Sequence, residues 1–282
     1  MRRLRAVSRT QGNNRAVKDG SIRLPHYELD FEEVPVLPQA FRRMVRNLEF
    51  DVCEMALTTY LVAKRYGKPF TALPIFLVRG FHHGAIRVHG DRGPSRPKEL
   101  EGRAVGVNRG YTVTTGVWAR GILREDYGVD LDKVTWVLTG DEHVTEYQPP
   151  PNVIRGEVKD VVIGVETGEP LLKEDGYEWL TTKGWYPINH CIVVRDDVLT
   201  NELATELFDA FTEAKNRYVG HYADTATDRM YQRVHQITGR DPLPYGLEPN
   251  RDALEALVGY AIDQHILDER PNLDELFVAG PR

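Results

Sequence analysis

The sequence predicts an α/β protein of two lobes, and three observations carry that expectation. Short apolar runs alternate with stretches of helical period. A polar, Gly/Pro-rich run over residues 90–97 halts the alternation, which restarts at Ala104. Three junctions, within residues 50–60, 72–87 and 102–118, join an apolar run to turn-capable or helix-starting residues, the arrangement that places anions at strand ends and helix N-termini. A cleft for a small anion is the expected consequence.

In chain order, residues 4–8, 28–31, 50–52, 73–78 and 85–89 read as strands. Between the second and third, Pro38 opens a helix that sets Phe41, Met44, Val45 and Leu48 on one face. After the break, residues 104–107 form a strand, and the following helix aligns Val113, Val117, Trp118, Gly121 and Ile122 before closing near Gly128. Strands near residues 134–139 and 161–165 are separated by Pro149, Pro150 and Pro151, which continue neither a helix nor a central strand. Residues 190–195 form a strand leading into a helix with Ala204, Leu207, Phe208 and Phe211 on one stripe, and a last helix carries Leu254, Leu257, Val258, Ala261 and Ile262. The simplest closure returns these helices to the first lobe. The expected division is therefore a discontinuous first lobe of residues 1–100 and 194–282, interrupted by a second lobe of residues 101–193. No internal repeat interrupts this plan.

At 282 residues and 41% hydrophobic content, the chain can bury one large core or two of ordinary size. The net charge of -6, with a basic cluster confined to Arg2, Arg3 and Arg5, offers no footprint for nucleic acid. Residues 1–14 turn polar at Ser8 before any apolar run of about 7–15 residues, so no secretory signal is read. No stretch approaches about 18 consecutive apolar residues, so no membrane span is expected. Cys53 and Cys191 sit in apolar contexts and read as free thiols of a reducing cytoplasm. The expected setting is cytoplasmic, without nucleic-acid or membrane partners, and compatible with a homo-oligomer.

Arg79 closes an apolar strand, and its planar guanidinium suits a carboxylate, with a surface salt bridge as the competing role. Glu54 stands between a strand and a helix, where it caps that helix or acts as a base toward a phenol. Thr58, Thr59, Thr112, Thr114 and Thr115 recur near two helix starts, serving either as ordinary caps or as neutral donors to an anion. Tyr111 stacks on an aromatic ligand or packs a hinge. His190 and Asn189 precede an apolar run, where they hold a carboxylate or phenolic oxygen, or satisfy a buried hinge. His82 and His83 follow an apolar strand, as ligand groups or as a solvated turn. No Cys-x-x-Cys, His-Glu-x-x-His, Walker-type loop or Gly-x-Ser-x-Gly elbow is present, and no metal ligand set or cofactor motif is assigned.

Five motifs together resemble the 4,5-dihydroxyphthalate decarboxylase family: FDVCEMALTTYL from Phe50, LPIFLVRGFHHGAIRV from Leu73, GRAVGVNRGYTVTTGVWARGILREDYGV from Gly102, GWYPINHCIVVRDDV from Gly184 and PLPYGLEPNRDALEAL from Pro242. The resemblance runs from about Leu4 to Phe277. It implies a type II periplasmic-binding-protein-like fold with an interlobe cleft, and non-oxidative decarboxylation of a hydroxylated aromatic, phthalate-like acid without a cofactor. The match at His83 supports this residue as the one that delivers the proton to the ring carbon that loses its carboxylate, and the residue reading adds His190 and Glu54 as the other catalytic candidates. The same residue reading gives Arg79, His82, Thr58, Thr59, Tyr111, Thr112, Thr114 and Asn189 as the groups that would grip the substrate. Where the family tends to have Arg-His-Ser, this chain has His82, His83 and Gly84, and the stretch between Gly140 and Gly184 is shorter than usual. Two other readings share the fold: a solute-binding protein for a small carboxylate, and another lyase such as the chorismate dehydratase type.

Overall fold

The computed structural model describes residues 1–91 and 93–278; Arg92, inside the expected Gly/Pro-rich break, and residues 279–282 lie outside it. In order, the chain forms β1 (Arg2–Val7), α1 (Arg15–Lys18), β2 (Tyr27–Glu32), α2 (Leu37–Asn47), β3 (Val52–Ala56), α3 (Leu57–Arg65), β4 (Phe70–Arg79), β5 (Ile86–Val88), β6 (Ala104–Val107), α4 (Thr114–Tyr127), β7 (Thr135–Leu138), β8 (Val153–Arg155), β9 (Val161–Ile163), β10 (Glu169–Pro170), α5 (Tyr177–Lys183), β11 (Ile188–Arg195), α6 (Asn201–Tyr218), α7 (Ala226–Thr238), α8 (Arg251–Asp263) and α9 (Leu273–Leu276). Two compact units divide it: the first holds Met1–Arg79, Ile188–Asp252 and Pro271–Arg282, the second Gly80–Pro187 and Ala253–Arg270.

The first unit is built on a sheet of order β2-β1-β3-β11-β4. β1 runs parallel to β2 and β3, whereas β11 returns antiparallel between β3 and β4. All five residues of β3 are buried, as expected of a central strand covered on both faces. β4 lies at the edge, where Pro74 costs no ladder bond. Its register against β11 shifts on both sides of His190. One face of this sheet, with Leu4, Val52, Ile75, Leu77, Ile192 and Val194, packs against Leu203, Leu207 and Phe211 of α6. The helix expected after residue 36 forms as α2, buries Phe41, Met44 and Val45, and stops at Leu48 in the left-handed region.

The second unit carries a sheet of order β10-β5-β9-β6-β7-β8, with β6 parallel to β7 and β9. α4 leaves β6 as expected and ends on Gly128 at φ 63°, a conformation glycine adopts without steric cost. Trp118 and Trp136 are fully buried in this unit.

The expected lobe boundaries need two corrections. Residues 85–89 belong to the second unit, because β5 pairs antiparallel with β9, Ile86 opposite Ile163. The crossings therefore fall at residues 79–80 and 187–188 rather than 100–101 and 193–194. Residues 253–270 also cluster with the second unit and do not return to the first. Gln264 accounts for much of this, accepting from Arg120 Nε at 2.8 Å and donating to the Val117 carbonyl at 2.9 Å.

Candidate active site

Glu54 lies inside β3 rather than after it, because Val52 to Ala56 is one continuous buried run. Its carboxylate is inaccessible to solvent, so its charge requires partners supplied by the fold. Those partners are the Arg9 N–H at 2.8 Å, the Gln11 amide nitrogen at 3.5 Å and His190 Nδ1 at 2.7 Å. The loop after β1 supplies the first two, and β11 supplies the third, His190 standing opposite Ala56 in the ladder. An ionised carboxylate only accepts, so Nδ1 of His190 carries the shared proton and Nε2 is left for another partner. The His190 side chain is 19% exposed and rests edge-on against Phe41, 5.3 Å between centroids. A carboxylate that fixes one imidazole nitrogen, and with it the tautomer and orientation of the ring, is a general arrangement for moving a proton.

The first unit also holds a cavity of about 740 Å³, whose lining includes Arg9 and Gln11, the two partners of Glu54 from the loop after β1, but neither Glu54 nor His190. Arg9, Arg15, Arg79 and Arg217 contribute to its lining together with Asp19, Asp228 and Tyr231, so its charged walls hold more basic than acidic groups. Arg79 is 4% exposed, which rules out the surface salt bridge, and its Nη1 donates to Asn250 Oδ1 at 2.7 Å. Thr58 and Thr59 are fully buried in the first turn of α3, whose N-cap position is Ala56, so neither is a capping residue. Asn189 is half-buried on β11, next to His190.

The second unit holds His82, His83, Tyr111, Thr112 and Thr114, all buried. His83 starts a short 3₁₀ turn, with its ring 5.6 Å from that of Trp179. A Cβ at Gly176 would stand 2.9 Å from His83 Nδ1. Burial pulls the His83 pKa below its ordinary value, against the opposing fields of Asp126, Glu174 and Asp175. Burial therefore disfavours the protonated ring that a proton donor has to carry. Because the folded pKa lies below the unfolded value of about 6.5, the unfolded chain binds more protons as pH falls. His83 therefore leaves stability intact above about pH 6.5 and erodes it below. Urea titrations at pH 7.5 and 5.5 are expected to show a smaller loss in His83→Gln than in the parent, and equal losses would contradict this environment.

At the turn before α4, the chain fills its own anion site. The Glu142 carboxylate accepts from the Tyr111 N–H, from the Thr112 N–H at 3.2 Å and from Thr112 Oγ1 at 2.6 Å. A Cβ at Gly110 would approach Glu142 Oε2 to 2.5 Å, so any other residue there would push this carboxylate from its place. Burial raises the pKa of Tyr111, whose ring is covered by the Arg120 guanidinium at 3.9 Å. Thr114 is the first residue of α4.

The structure thus joins Glu54 with His190, and adds Arg9, Gln11, Asn250 and Tyr231 in the first unit and Arg120 and Glu142 in the second, none of them singled out from the sequence. Glu142 sits in an irregular loop with no periodic signal, and Arg9 and Gln11 precede only a four-residue helix. Among the described residues, His26, Glu202 and Glu206 form a group whose ligand atoms lie within 4.8 Å of one another, and it includes no candidate from the sequence.

No family model matches the chain. It is 27% identical over 283 residues to a 4,5-dihydroxyphthalate decarboxylase of Comamonas testosteroni, covering 85% of each. It is 38% identical over 105 residues to a protein of the same name from Pseudomonas putida, covering 37% of this chain and 40% of the relative. The resemblance read from the five motifs is borne out by these similarities. Among solved structures, the alkanesulfonate-binding protein SsuA of Xanthomonas axonopodis pv. citri, bound to MOPS, matches with a TM-score of 0.54 at 14% identity, over 99% of both chains. The aliphatic sulphonate binding protein SsuA of Escherichia coli matches with 0.56 at 10% identity, over 100% of this chain and 94% of that one. Protein AF1704 of Archaeoglobus fulgidus matches with 0.54 at 15% identity, over 94% and 98%. The fold is that of the two-lobed periplasmic binding proteins, as expected.

Proposed function

We propose that the chain is a carboxy-lyase that removes a carboxylate, without oxidation, from a hydroxylated aromatic acid of the phthalate type. The observation that carries this reading is the similarity to a 4,5-dihydroxyphthalate decarboxylase over 85% of both chains. The paired Glu54 and His190 supply a chemistry that suits it. A proton must reach the ring carbon that bears the departing carboxylate while a para hydroxyl releases its own proton, giving a dienone. The bond to the carboxylate then breaks, its electrons restore the ring, carbon dioxide leaves and the phenol is reprotonated. His190, its Nδ1 held by the Glu54 carboxylate, is the proton donor in this proposal, in place of the buried His83. The arginines that line the first unit's cavity suit the substrate's carboxylates, with Arg79 as the anchor.

The fold neighbours that bind sulfonates keep a second reading in play, a solute-binding protein for an aromatic carboxylate. Carbon dioxide release measured over a panel of hydroxybenzoates and hydroxyphthalates separates the two. Turnover of one of these acids is expected; tight calorimetric binding with no release from any of them would favour transport or sensing. The same proposal assigns the enzyme to aromatic acid breakdown in the cytoplasm, in keeping with the unbridged thiols of Cys53 and Cys191. Among the described residues no helix is long and apolar enough to cross a membrane.

Arg79→Lys tests the anchor. It keeps the charge and loses the fork, so affinity for an aromatic diacid is expected to fall by about tenfold. Calorimetric titration with unchanged affinity would remove Arg79 from the site.

A further inference from the structure

The motif that starts at Pro242 is left unused by the chemistry above, yet its Asn250 touches the proposed anchor. Asn250 is 1% exposed. Its Nδ2 donates to the carbonyl oxygens of Pro244 at 2.9 Å and Gly246 at 2.7 Å, which occupies both amide hydrogens. With those two bonds made, the side chain has one orientation, and Oδ1 faces Arg79 Nη1 at 2.7 Å. The loop is itself tied down: Gly246, at φ 92°, donates its N–H to the Pro74 carbonyl of β4 at 2.8 Å, five residues before Arg79 on the same strand. The Asn250 N–H closes back on the Leu247 carbonyl at 3.0 Å.

We propose that Asn250 is a positioning residue that aims the Arg79 guanidinium into the cavity of the first unit; this rests on the reading of Arg79 as substrate anchor. Its chemical identity follows from that task. A carboxylate at this place would also hold the guanidinium, but it would cancel the charge that attracts the substrate's anion. An amide oxygen orients the group and leaves its charge intact. An amide also supplies the two donors that a carboxylate lacks, so the loop and the arginine are fixed by one side chain.

Three variants test this: Asn250→Ala, Asn250→Asp and Arg79→Lys, with the double variant Arg79→Lys/Asn250→Ala completing a cycle. KM and kcat are measured for the hydroxyphthalate turned over, and Kd by calorimetry for a non-reacting aromatic diacid. Asn250→Ala is expected to raise KM and Kd by roughly tenfold or more, the worth of one hydrogen bond to a charged group, with kcat changed far less. Asn250→Asp is expected to weaken binding as well, although it keeps the oxygen that Arg79 meets. The double variant is expected to bind no worse than about the weaker single one, because both changes remove the same interaction. A Kd unchanged in Asn250→Ala alongside a weakened Arg79→Lys would overturn the positioning role and leave the anchor standing. Unchanged binding in Arg79→Lys would overturn both. If Asn250→Ala does not fold, as judged by circular dichroism, Asn250→Asp decides alone, and binding as tight as the parent's in that variant would refute the proposal.

Discussion

His190→Asn is expected to lower turnover of a hydroxylated phthalate by roughly 10²–10⁴-fold, the usual cost of removing a general acid or base. The substitution keeps a group able to hydrogen-bond Glu54 while removing the titratable nitrogens, so the sheet around it should survive. Glu54→Gln tests the other half of the pair. Its carboxylate meets the Arg9 N–H, the Gln11 amide and His190 Nδ1 at 2.7 Å, and an amide oxygen could accept from only part of that set. The imidazole would lose the carboxylate that fixes its tautomer and orientation, so a loss of the same order is expected. Carbon dioxide release, with far-ultraviolet circular dichroism as the check on folding, reads both. Near-parental turnover in either folded variant would remove the pair from the chemistry, and full activity in His83→Gln beside an inactive His190→Asn would assign the proton to the first unit.

The sequence carried the fold class because both sheets are built from alternating or continuous apolar runs, and the helix faces of α2, α4, α6 and α8 are wide enough to read. α7 escaped notice because its buried side chains are only Tyr231, Val234 and the capping Asp228, too few to draw a stripe. β8 and β10 span three and two residues, below the length at which a period is visible. The lobe boundary was misplaced for a related reason: β5 is three residues long, and nothing local says that its partner is β9, some seventy-five residues on. At the site, Glu54 and His190 were each legible as candidates, but their meeting was not. They are 136 positions apart, and only the antiparallel return of β11 beside β3 brings them together. The anion-binding turn shows the opposite outcome. Tyr111 and Thr112 supply the donors that a carboxylate needs, two main-chain N–H groups and one threonine hydroxyl, but the carboxylate they hold is Glu142 from their own chain.

Arg120→Ala is expected to destabilise the protein by about 3–5 kcal/mol, the range for removing one side of a buried ionic or charge-assisted contact. Arg120 is fully buried on α4, and desolvation presses its pKa below the ordinary arginine value. Its charge is sustained by the carbonyl of Tyr111 at 2.5 Å, the Gln264 side-chain oxygen at 2.8 Å, and the faces of Tyr111 at 3.9 Å and Trp136 at 5.4 Å. Truncation leaves two buried acceptors without a donor and opens a void between the rings, and both effects have the same sign. Arg120→Met separates them, because it refills the volume without restoring the donors. Its loss is expected to be smaller than that of alanine, since a well-packed apolar replacement avoids the desolvation of a cation. Urea denaturation followed by tryptophan fluorescence is a suitable probe, as Trp136 lies against the guanidinium and Trp118 is on the same helix. A midpoint for Arg120→Ala within error of the parent would mean that the guanidinium does not hold this core together. A methionine variant less stable than the alanine one would shift the explanation from lost donors to overpacking between the rings.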